Sequence, residues 1–393
     1  MIALIDSHFL KVNIMLLFRL FIVVVFIYQS SLVMGGAVQN QPATSKLAAD
    51  DLNPKNIAPE VVSEQIRENL NNLSYRFSFR KDGEYAVKMY RTTGDKSYLN
   101  AILHELYISA DRLSELSRGV YCATYRTQRI KREIDDGSCF LGVNKVCRAL
   151  RSETARWFND HIFYANLLLP ELHRVSEFGM QLKNDNEKII QKISAFDFEP
   201  GFTNPDMIRA WASRQAYQVY WLKDIDLGDY REIFTNSFKK VFPDNKDVLL
   251  SDQQYMTKIT SMAHLVIAAS GNFQEPVSDQ SLEWITDYFE KNIDEIITRV
   301  ESVIIAEVGI SFLLMGKQSV PAVEKTKKAI LSAYSPSQKM VQALDGNIDF
   351  DMAQIRNTLS IILLGWNNIY HSGPYFNKIK AFSEKLPSVV EPE

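Results

Sequence analysis

The chain has 393 residues, a formal net charge of −3 and 23% charged residues. Apolar residues make up 46%, as in an ordinary globular protein, and the 16 Gly and 13 Pro disfavour a low-complexity chain or a β-sandwich. Because no basic stripe with interleaved aromatic residues is present, we expect no nucleic-acid partner.

The N-terminal segment has the three parts of a secretory signal. An apolar run from Leu20 to Tyr28 follows Arg19, and the small residues Gly35 and Ala37 fit the −3 and −1 positions of a signal-peptidase cleavage site. We therefore predict a signal peptide over residues 1–37.

A cleaved signal would make the protein exported, either periplasmic or secreted. The polar stretch 38–58 predicts a mobile linker after it. The alternative is an N-terminal helix that stays uncleaved and anchors the protein, and only then would we expect a membrane as a partner.

Helical patterns dominate residues 59–393, which we interpret as one domain. Three of the predicted helices end at a glycine, namely Gly94, Gly271 and Gly316, because glycine enters the left-handed region without steric cost. Each glycine turn leads into another helical pattern, and repeated helical hairpins of this kind bury their apolar faces by stacking.

Helix starts and breaks can also be placed. Asn204 before Pro205 predicts an N-terminal cap, Pro170 interrupts the helical stretch 143–178, and the long pattern after Leu282 requires a break near 301–305. No convincing strand is present, so we predict an all-α fold. The arrangement we expect is an α/α toroid or an incomplete toroid of helical hairpins, and an α-solenoid is the alternative.

The three cysteines are Cys122, Cys139 and Cys147. Export would place them in an oxidising compartment, where one disulfide can persist. Three cysteines allow one disulfide and one free thiol, and the sequence leaves open which two residues pair. Their spacings match no zinc pattern.

Two isolated polar residues are the candidate catalytic groups. His264 shares a helix face with Thr260, which is a candidate binding residue. Glu307 stands among apolar neighbours, where a carboxylate needs an ion-pair partner or a cavity. Either residue could instead be a buried structural residue whose hydrogen bonds are made within the core. Arg356, another candidate binding residue, could be the ion-pair partner of Glu307.

The last predicted helix and its tail supply further candidate binding residues. Asn357 interrupts the apolar helix pattern, and Trp366, His371 and Tyr375 follow as an aromatic tail. Rings of this kind can line a sugar-binding cleft or simply pack in the core. No phosphate-binding glycine loop, His-Glu-x-x-His helix or Gly-x-Ser-x-Gly turn occurs, so we predict no cofactor and no metal.

Four phrases carry a resemblance to a known family. They begin at Tyr90, Thr260, Ala306 and Arg356, and they read YRTTGDKSYL, TSMAHLVIAAS, AEVGISFLL and RNTLSIILLG. Together they resemble domain-of-unknown-function family 3541, an uncharacterised bacterial family that brings no catalytic assignment. The first phrase is also similar to turns in α/α-toroid enzymes that process glycosides, which implies a fold rather than an activity.

Two functional hypotheses follow. The first is an exported α/α-toroid protein that binds a glycan, with cleavage or remodelling of the glycan left open. The second is a non-enzymatic scaffold or effector that binds a protein partner. Whether the chain is an enzyme at all stays open.

Overall fold

The computed structural model describes residues 57–136, 145–182, 186–343 and 350–390. The predicted signal peptide, most of the predicted linker and Cys139 lie outside these residues, as does the side chain of Cys147. Cys122 is a partly exposed free thiol.

The described part is built almost entirely of helices, as predicted. The α-helices of four or more residues in this part are α1 (Pro59–Leu73), α2 (Phe79–Thr93), α3 (Leu99–Tyr121), α4 (Ala123–Asp135), α5 (Lys145–Trp157), α6 (Leu169–Glu177), α7 (Asn186–Ile193), α8 (Glu199–Thr203), α9 (Pro205–Asp224), α10 (Arg231–Val241), α11 (Asp252–Ala269), α12 (Glu283–Arg299), α13 (Ser302–Leu314), α14 (Pro321–Ser332), α15 (Phe350–Gly365) and α16 (Lys380–Ser383).

Other elements connect these helices. A π-helical segment, Ile162–Leu168, precedes α6, and short 3₁₀ turns precede α2, α3, α11 and α12. The strands β1 (Tyr334–Ser335) and β2 (Met340–Val341) pair antiparallel between α14 and α15.

Turn chemistry fixes the helix ends largely as the sequence predicts. Gly94, Gly271 and Gly316 have φ of 72°, 59° and 70°, in the left-handed region. The Asn204 side chain accepts from the backbone N–H groups of the first turn of α9. The predicted break near 301–305 is confirmed, because α12 ends at Arg299 and α13 begins at Ser302.

The predicted break at Pro170 is in the wrong place. Pro170 lies in the first turn of α6, directly after the π-helical segment Ile162–Leu168, and the chain stays helical through it. The chain leaves the helical conformation earlier, at Phe158, whose φ and ψ are −110° and 41°.

Helix α13 lies at the centre of the packing. All of its residues are buried, and it contacts α11, α12, α14 and α15. Among the helices, α2 packs on α3, α3 on α6, α6 on α9, α9 on α11, α11 on α13, α13 on α15, and α15 on α2. The all-α class is therefore established, whereas the toroid and its solenoid alternative stay predictions. No helix in the described ranges is long and apolar enough to cross a membrane.

Candidate functional site

The structure brings the two candidate catalytic residues into direct contact. His264 lies on α11 and Glu307 on α13, and His264 Nε2 is 3.2 Å from Glu307 Oε1. The other ring nitrogen, Nδ1, is 2.7 Å from the carbonyl oxygen of Ser213 on α9. Glu307 is 7% exposed, and its second oxygen, Oε2, is buried with no hydrogen-bond partner in the described part of the chain. The pair is therefore structurally anchored and keeps one unsatisfied acceptor.

The hydrogen bonds define where the protons of this pair lie. A carbonyl oxygen only accepts, so His264 Nδ1 carries a proton toward Ser213. The contact between Nε2 and Oε1 then requires one shared proton. Burial lowers the pKa of His264, but the Glu307 carboxylate and the Ser213 carbonyl outweigh burial and raise that pKa above its usual value. The contact with Glu307 thus favours the protonated form of His264.

A row of four rings leads away from this pair. Tyr217 lies 4.8 Å from His264 between ring centroids. Trp221 stacks on Tyr217 at 5.5 Å, and His173 stacks on Trp221 at 5.3 Å. We call His264, Tyr217, Trp221 and His173 the aromatic row. The outer ring, His173, contacts Asp224 through Nε2 at 3.2 Å.

The outer part of the aromatic row lines a pocket of about 260 Å³, which we call the mouth pocket. The pocket lies where α6, α9 and α11 end, because Glu177, Asp224 and Gly271 all contribute to its lining. Other lining groups are Ser176, Ile225, Ala268, Asn272, Gln274 and Tyr375. The mouth pocket therefore combines rings with amide, hydroxyl and carboxylate groups.

Arg91 joins the segments that surround the mouth pocket. It comes from the last turn of α2, is fully buried, and donates from Nε to the Gly373 carbonyl at 2.8 Å. Its other nitrogens donate to Asn272 O at 3.2 Å and to Glu177 Oε2 at 2.7 Å. Burial would raise the pKa of Glu177, but Arg91 and Arg174 lower it to about 2. Four chain segments are thus held together by one guanidinium group.

Charged side chains of three helices act on one another's pKa values, and we call these side chains the inner layer. It is formed by partly exposed residues on three helices: Glu84 and Lys88 of α2, Arg174 of α6, and Arg214 of α9. Glu84 acts on the pKa of Arg214, and Lys88 acts on the pKa of His264. The inner layer therefore couples α2 electrostatically to α6, α9 and α11.

Two further predicted binding residues lie near this site. Tyr375 lines the mouth pocket, at the end of a segment that Arg91 and Gln274 hold through the backbone of Gly373. Thr260 is partly exposed and lies one turn before His264 on the same face of α11.

Four other predicted residues do not join this group. Glu307 pairs with His264 and not with Arg356, so the ion pair considered from the sequence is not formed. The side chain of Asn357 is fully engaged with backbone, accepting from Val341 N at 2.7 Å and donating to Ala353 O at 2.8 Å. It fastens β2 to α15, which is a structural role.

Trp366 and His371 also lie outside the mouth pocket. Trp366 lines a second pocket of about 260 Å³ between α1 and α15 and donates from Nε1 to the Ile369 carbonyl. His371 packs on the turn at Gly94, where a side-chain carbon would lie 2.6 Å from its ring. Both residues therefore anchor the chain after α15.

Sequence reasoning missed most of the aromatic row. Tyr217 and Trp221 are four residues apart on α9, which places both rings on one helix face, three residues on from Arg214. That spacing was a usable signal. No comparable sequence signal exists for His173, because Trp221 lies 48 positions away in the sequence and the two rings come into contact only in the folded chain.

Metal ligation finds no support in the described part. No group of three or more His, Cys, Asp or Glu side chains there could hold a metal ion.

Fold and site together define an all-α protein with a ring-lined pocket at the ends of neighbouring helices. The model of the family described as a domain of unknown function, DUF3541, matches residues 59–393. The chain belongs to this family. No curated protein matches the sequence, and no solved structure matches the chain.

Proposed function

We propose that this protein binds a glycan in the mouth pocket. The observation that carries the proposal is the combination of rings and polar groups in one pocket. Sugars present apolar C–H faces that stack on rings and hydroxyl edges that need hydrogen bonds. Tyr375 offers a ring that is 61% exposed, and it lines the same pocket as Trp221 and Tyr217.

Unengaged polar groups support the same proposal. In the described part, the Asn272 amide and the Ser176 hydroxyl have no hydrogen-bond partner, and both line the mouth pocket. Asp224 is about half exposed and retains acceptor capacity beside its contact with His173. These three groups would bind sugar hydroxyls. His264 contacts Tyr217, but neither His264 nor Glu307 lines the mouth pocket, so the proposal includes no bond cleavage.

Export belongs to the same proposal. The signal-like segment 1–37 predicts a periplasmic or secreted protein, which is a location where extracellular glycans are available. Sequencing the N-terminus of the mature protein tests this part, and a chain that retains residues 1–37 would contradict it.

Binding is tested with Tyr375→Ala, using Tyr75→Ala as the matched control. Tyr75 is 81% exposed on the turn after α1 and is not among the residues of the mouth pocket. The full chain is screened on a glycan array, and affinities for the hits are measured by calorimetry. We expect about a tenfold loss, roughly 1.4 kcal/mol, for Tyr375→Ala and none for Tyr75→Ala. Equal affinities would place the glycan elsewhere, and no binding by folded wild type would refute the proposal.

The alternative is a scaffold that binds a protein partner. Val248 and Leu249, adjacent in the 3₁₀ turn before α11, are 84% and 75% exposed, which favours a contact surface. The mutual pairing of His264 and Glu307 also agrees with this alternative, because a buried contact between two helices can serve the fold without any ligand. A stable protein complex that Val248→Ser disrupts and Tyr375→Ala leaves intact would favour it.

A further inference from the structure

The mouth pocket is lined by the carboxyl ends of three helices. Helix α6 ends at Glu177, α9 at Asp224 and α11 at Ala269, and residues at or next to each of these ends line the pocket. The last carbonyl groups of a helix carry a partial negative charge, which attracts cations and repels anions. The backbone around the mouth pocket therefore favours a positively charged ligand.

Two of these three helices end on an acidic residue. Asp and Glu are electrostatically unfavourable at the carboxyl end of a helix, where Lys, Arg or His is favoured. Glu177 and Asp224 nevertheless occupy these positions, and both line the mouth pocket. The described lining contains no lysine or arginine, and its one basic side chain is that of His173. The side chains of the lining thus add negative charge to that of the helix ends.

The two carboxylates differ in how their charge is balanced. Glu177 accepts from Arg91 Nη2 at 2.7 Å and also pairs with Arg174. Asp224 contacts His173 through Oδ2 at 3.2 Å, a hydrogen bond that a neutral imidazole can donate, and no lysine or arginine of the described chain pairs with it. Its other oxygen, Oδ1, accepts no hydrogen bond from the described residues, and the side chain is 49% exposed. Asp224 therefore presents an unbalanced negative charge to the pocket.

An exposed ring accompanies this carboxylate in the mouth pocket. Tyr375 is 61% exposed and lines the same pocket as Asp224. The other rings of the lining, Tyr217, Trp221 and His173, form a stack and are less exposed. The face of an aromatic ring attracts a cation through its negative π-electron density. Helix ends, carboxylate and ring thus favour the same kind of ligand group.

Resting on the proposed function, we propose that the glycan bound in the mouth pocket contains an amino sugar with a free ammonium group, and that Asp224 is the counter-ion of that group. An amino sugar carries the ammonium where a neutral sugar carries a hydroxyl, so Asp224 binds the ammonium in place of that hydroxyl. The nitrogen of an N-acetylated sugar is uncharged and gains nothing from the negative pocket. A carboxylated or sulfated glycan would be repelled by Asp224 and by the helix ends.

The test is a glycan array that presents each amino sugar in three matched forms, with a free amine, with an N-acetyl group, and with a hydroxyl in place of the nitrogen. Oligomers of chitosan, chitin and cellulose make up one such set. The full chain is applied in a buffer that keeps the amines protonated, and affinities for the hits are measured by calorimetry. We expect the free-amine form to bind at least about tenfold more tightly than its two matched forms.

Variants of Asp224 assign the preference to this carboxylate. Asp224→Asn should remove the preference for the free amine, and Asp224→Glu should keep it. The asparagine amide can still accept from His173, and losing a negative charge at the end of α9 removes an unfavourable interaction, so Asp224→Asn should fold as stably as wild type.

Asp226→Asn is the matched control for these variants. Asp226 is exposed two residues beyond Asp224 and does not line the mouth pocket. Its φ is 58°, a conformation that asparagine also adopts, so the substitution removes one nearby charge and preserves the backbone. Asp226→Asn should therefore keep the full preference for the free amine, and an equal loss in both variants would mean that general charge, and not Asp224, selects the ligand.

The salt dependence of binding provides a second measurement. An ion pair at a half-exposed carboxylate is screened by salt, whereas hydrogen bonds to an uncharged sugar are not. Raising the ionic strength from about 0.02 M to about 0.5 M should weaken binding of the free-amine form severalfold and leave binding of the N-acetyl form unchanged. In Asp224→Asn the salt dependence of the free-amine form should shrink.

The outcomes separate the two proposals. If wild type binds the three matched forms equally or prefers an uncharged form, or if Asp224→Asn keeps the preference, the inference about the ammonium is wrong. The glycan-binding function then survives when Tyr375→Ala weakens binding. If folded wild type binds no glycan of the array, the proposed function fails and this inference fails with it.

Discussion

His161 is a buried imidazole in an apolar environment. It is 3% exposed, neither ring nitrogen has a hydrogen-bond partner in the described residues, and the rings of Phe196, Phe198 and Phe202 surround it. Burial lowers the pKa of His161 to about 4 from an ordinary value of 6.5. The folded protein therefore holds this side chain neutral where the unfolded chain would protonate it.

The stability of the protein should fall as the pH drops below about 6.5. The unfolded state binds the extra proton first, so the stabilisation present above the unfolded pKa is lost progressively as the pH approaches the folded pKa of about 4. We expect a loss of about 2 kcal/mol between pH 7.5 and pH 5 from this residue. Urea unfolding at the two pH values measures it.

His161→Leu should remove that component, while the control His104→Leu should keep it. His104 is exposed on α3 and needs no desolvation. If His161→Leu and wild type lose stability equally between the two pH values, His161 is not held neutral in the folded state.

The His264–Glu307 pair supports a second prediction at this scale. In Glu307→Gln the amide preserves the shape but removes the charge that raises the pKa of His264, while burial and Lys88 continue to lower it. We expect the pKa of His264 to move from above 6.5 in wild type to below it in the variant, as measured by NMR titration of the ring. In wild type, the pair stabilises the fold fully below the unfolded pKa, and this stabilisation disappears as the pH rises through the raised folded pKa.

Glu324→Gln is the matched control for that titration. Glu324 is exposed on α14, so its charge is screened and the pKa of His264 should stay at the wild-type value. An unchanged His264 pKa in Glu307→Gln would mean that the imidazole and carboxylate do not share a proton.

At the scale of elements, two glycines test different aspects of the packing. At Gly83, in α2, an added side-chain carbon would lie 2.1 Å from Cβ of Glu105 in α3, so the two helices would have to separate. At Gly316, φ is +70° and no atom lies within 4 Å of the added carbon. The first glycine permits close helix contact, and the second permits a left-handed helix end.

Replacing each glycine by alanine should therefore have unequal costs. We expect Gly83→Ala to lower the free energy of unfolding by about 2–3 kcal/mol through overpacking, despite the better helix propensity of alanine. Gly316→Ala should cost about 1 kcal/mol from backbone strain alone. Chemical unfolding measures both, and a Gly83→Ala variant as stable as wild type would contradict the close packing of α2 on α3.

The sequence predicts elements well where local chemistry decides them. The glycine ends, the Asn204 cap and the break before Ser302 follow from the backbone preferences of a few neighbouring residues. Pro170 was misread because the same residue that breaks a helix also begins one. Sequence alone did not indicate that the chain would leave the helical conformation at Phe158.

At the scale of the whole molecule, the site depends on contacts between distant segments. Arg91 and Asn272 are 181 positions apart, and Arg91 and Gly373 are 282 apart. The sequence indicated His264 and Glu307 because isolated polar residues stand out in apolar helices. It could not indicate that they pair with each other, that Arg91 holds the pocket together, or that Asn357 and His371 serve the fold. Those assignments depend on which helix faces meet.

The most direct test of the account is a crystal structure of the full chain with the tightest-binding glycan from the array. The account predicts a sugar ring stacked on Tyr375 in the mouth pocket, with hydroxyls bonded to Asn272 or Ser176. A sugar bound anywhere else would contradict the central claim.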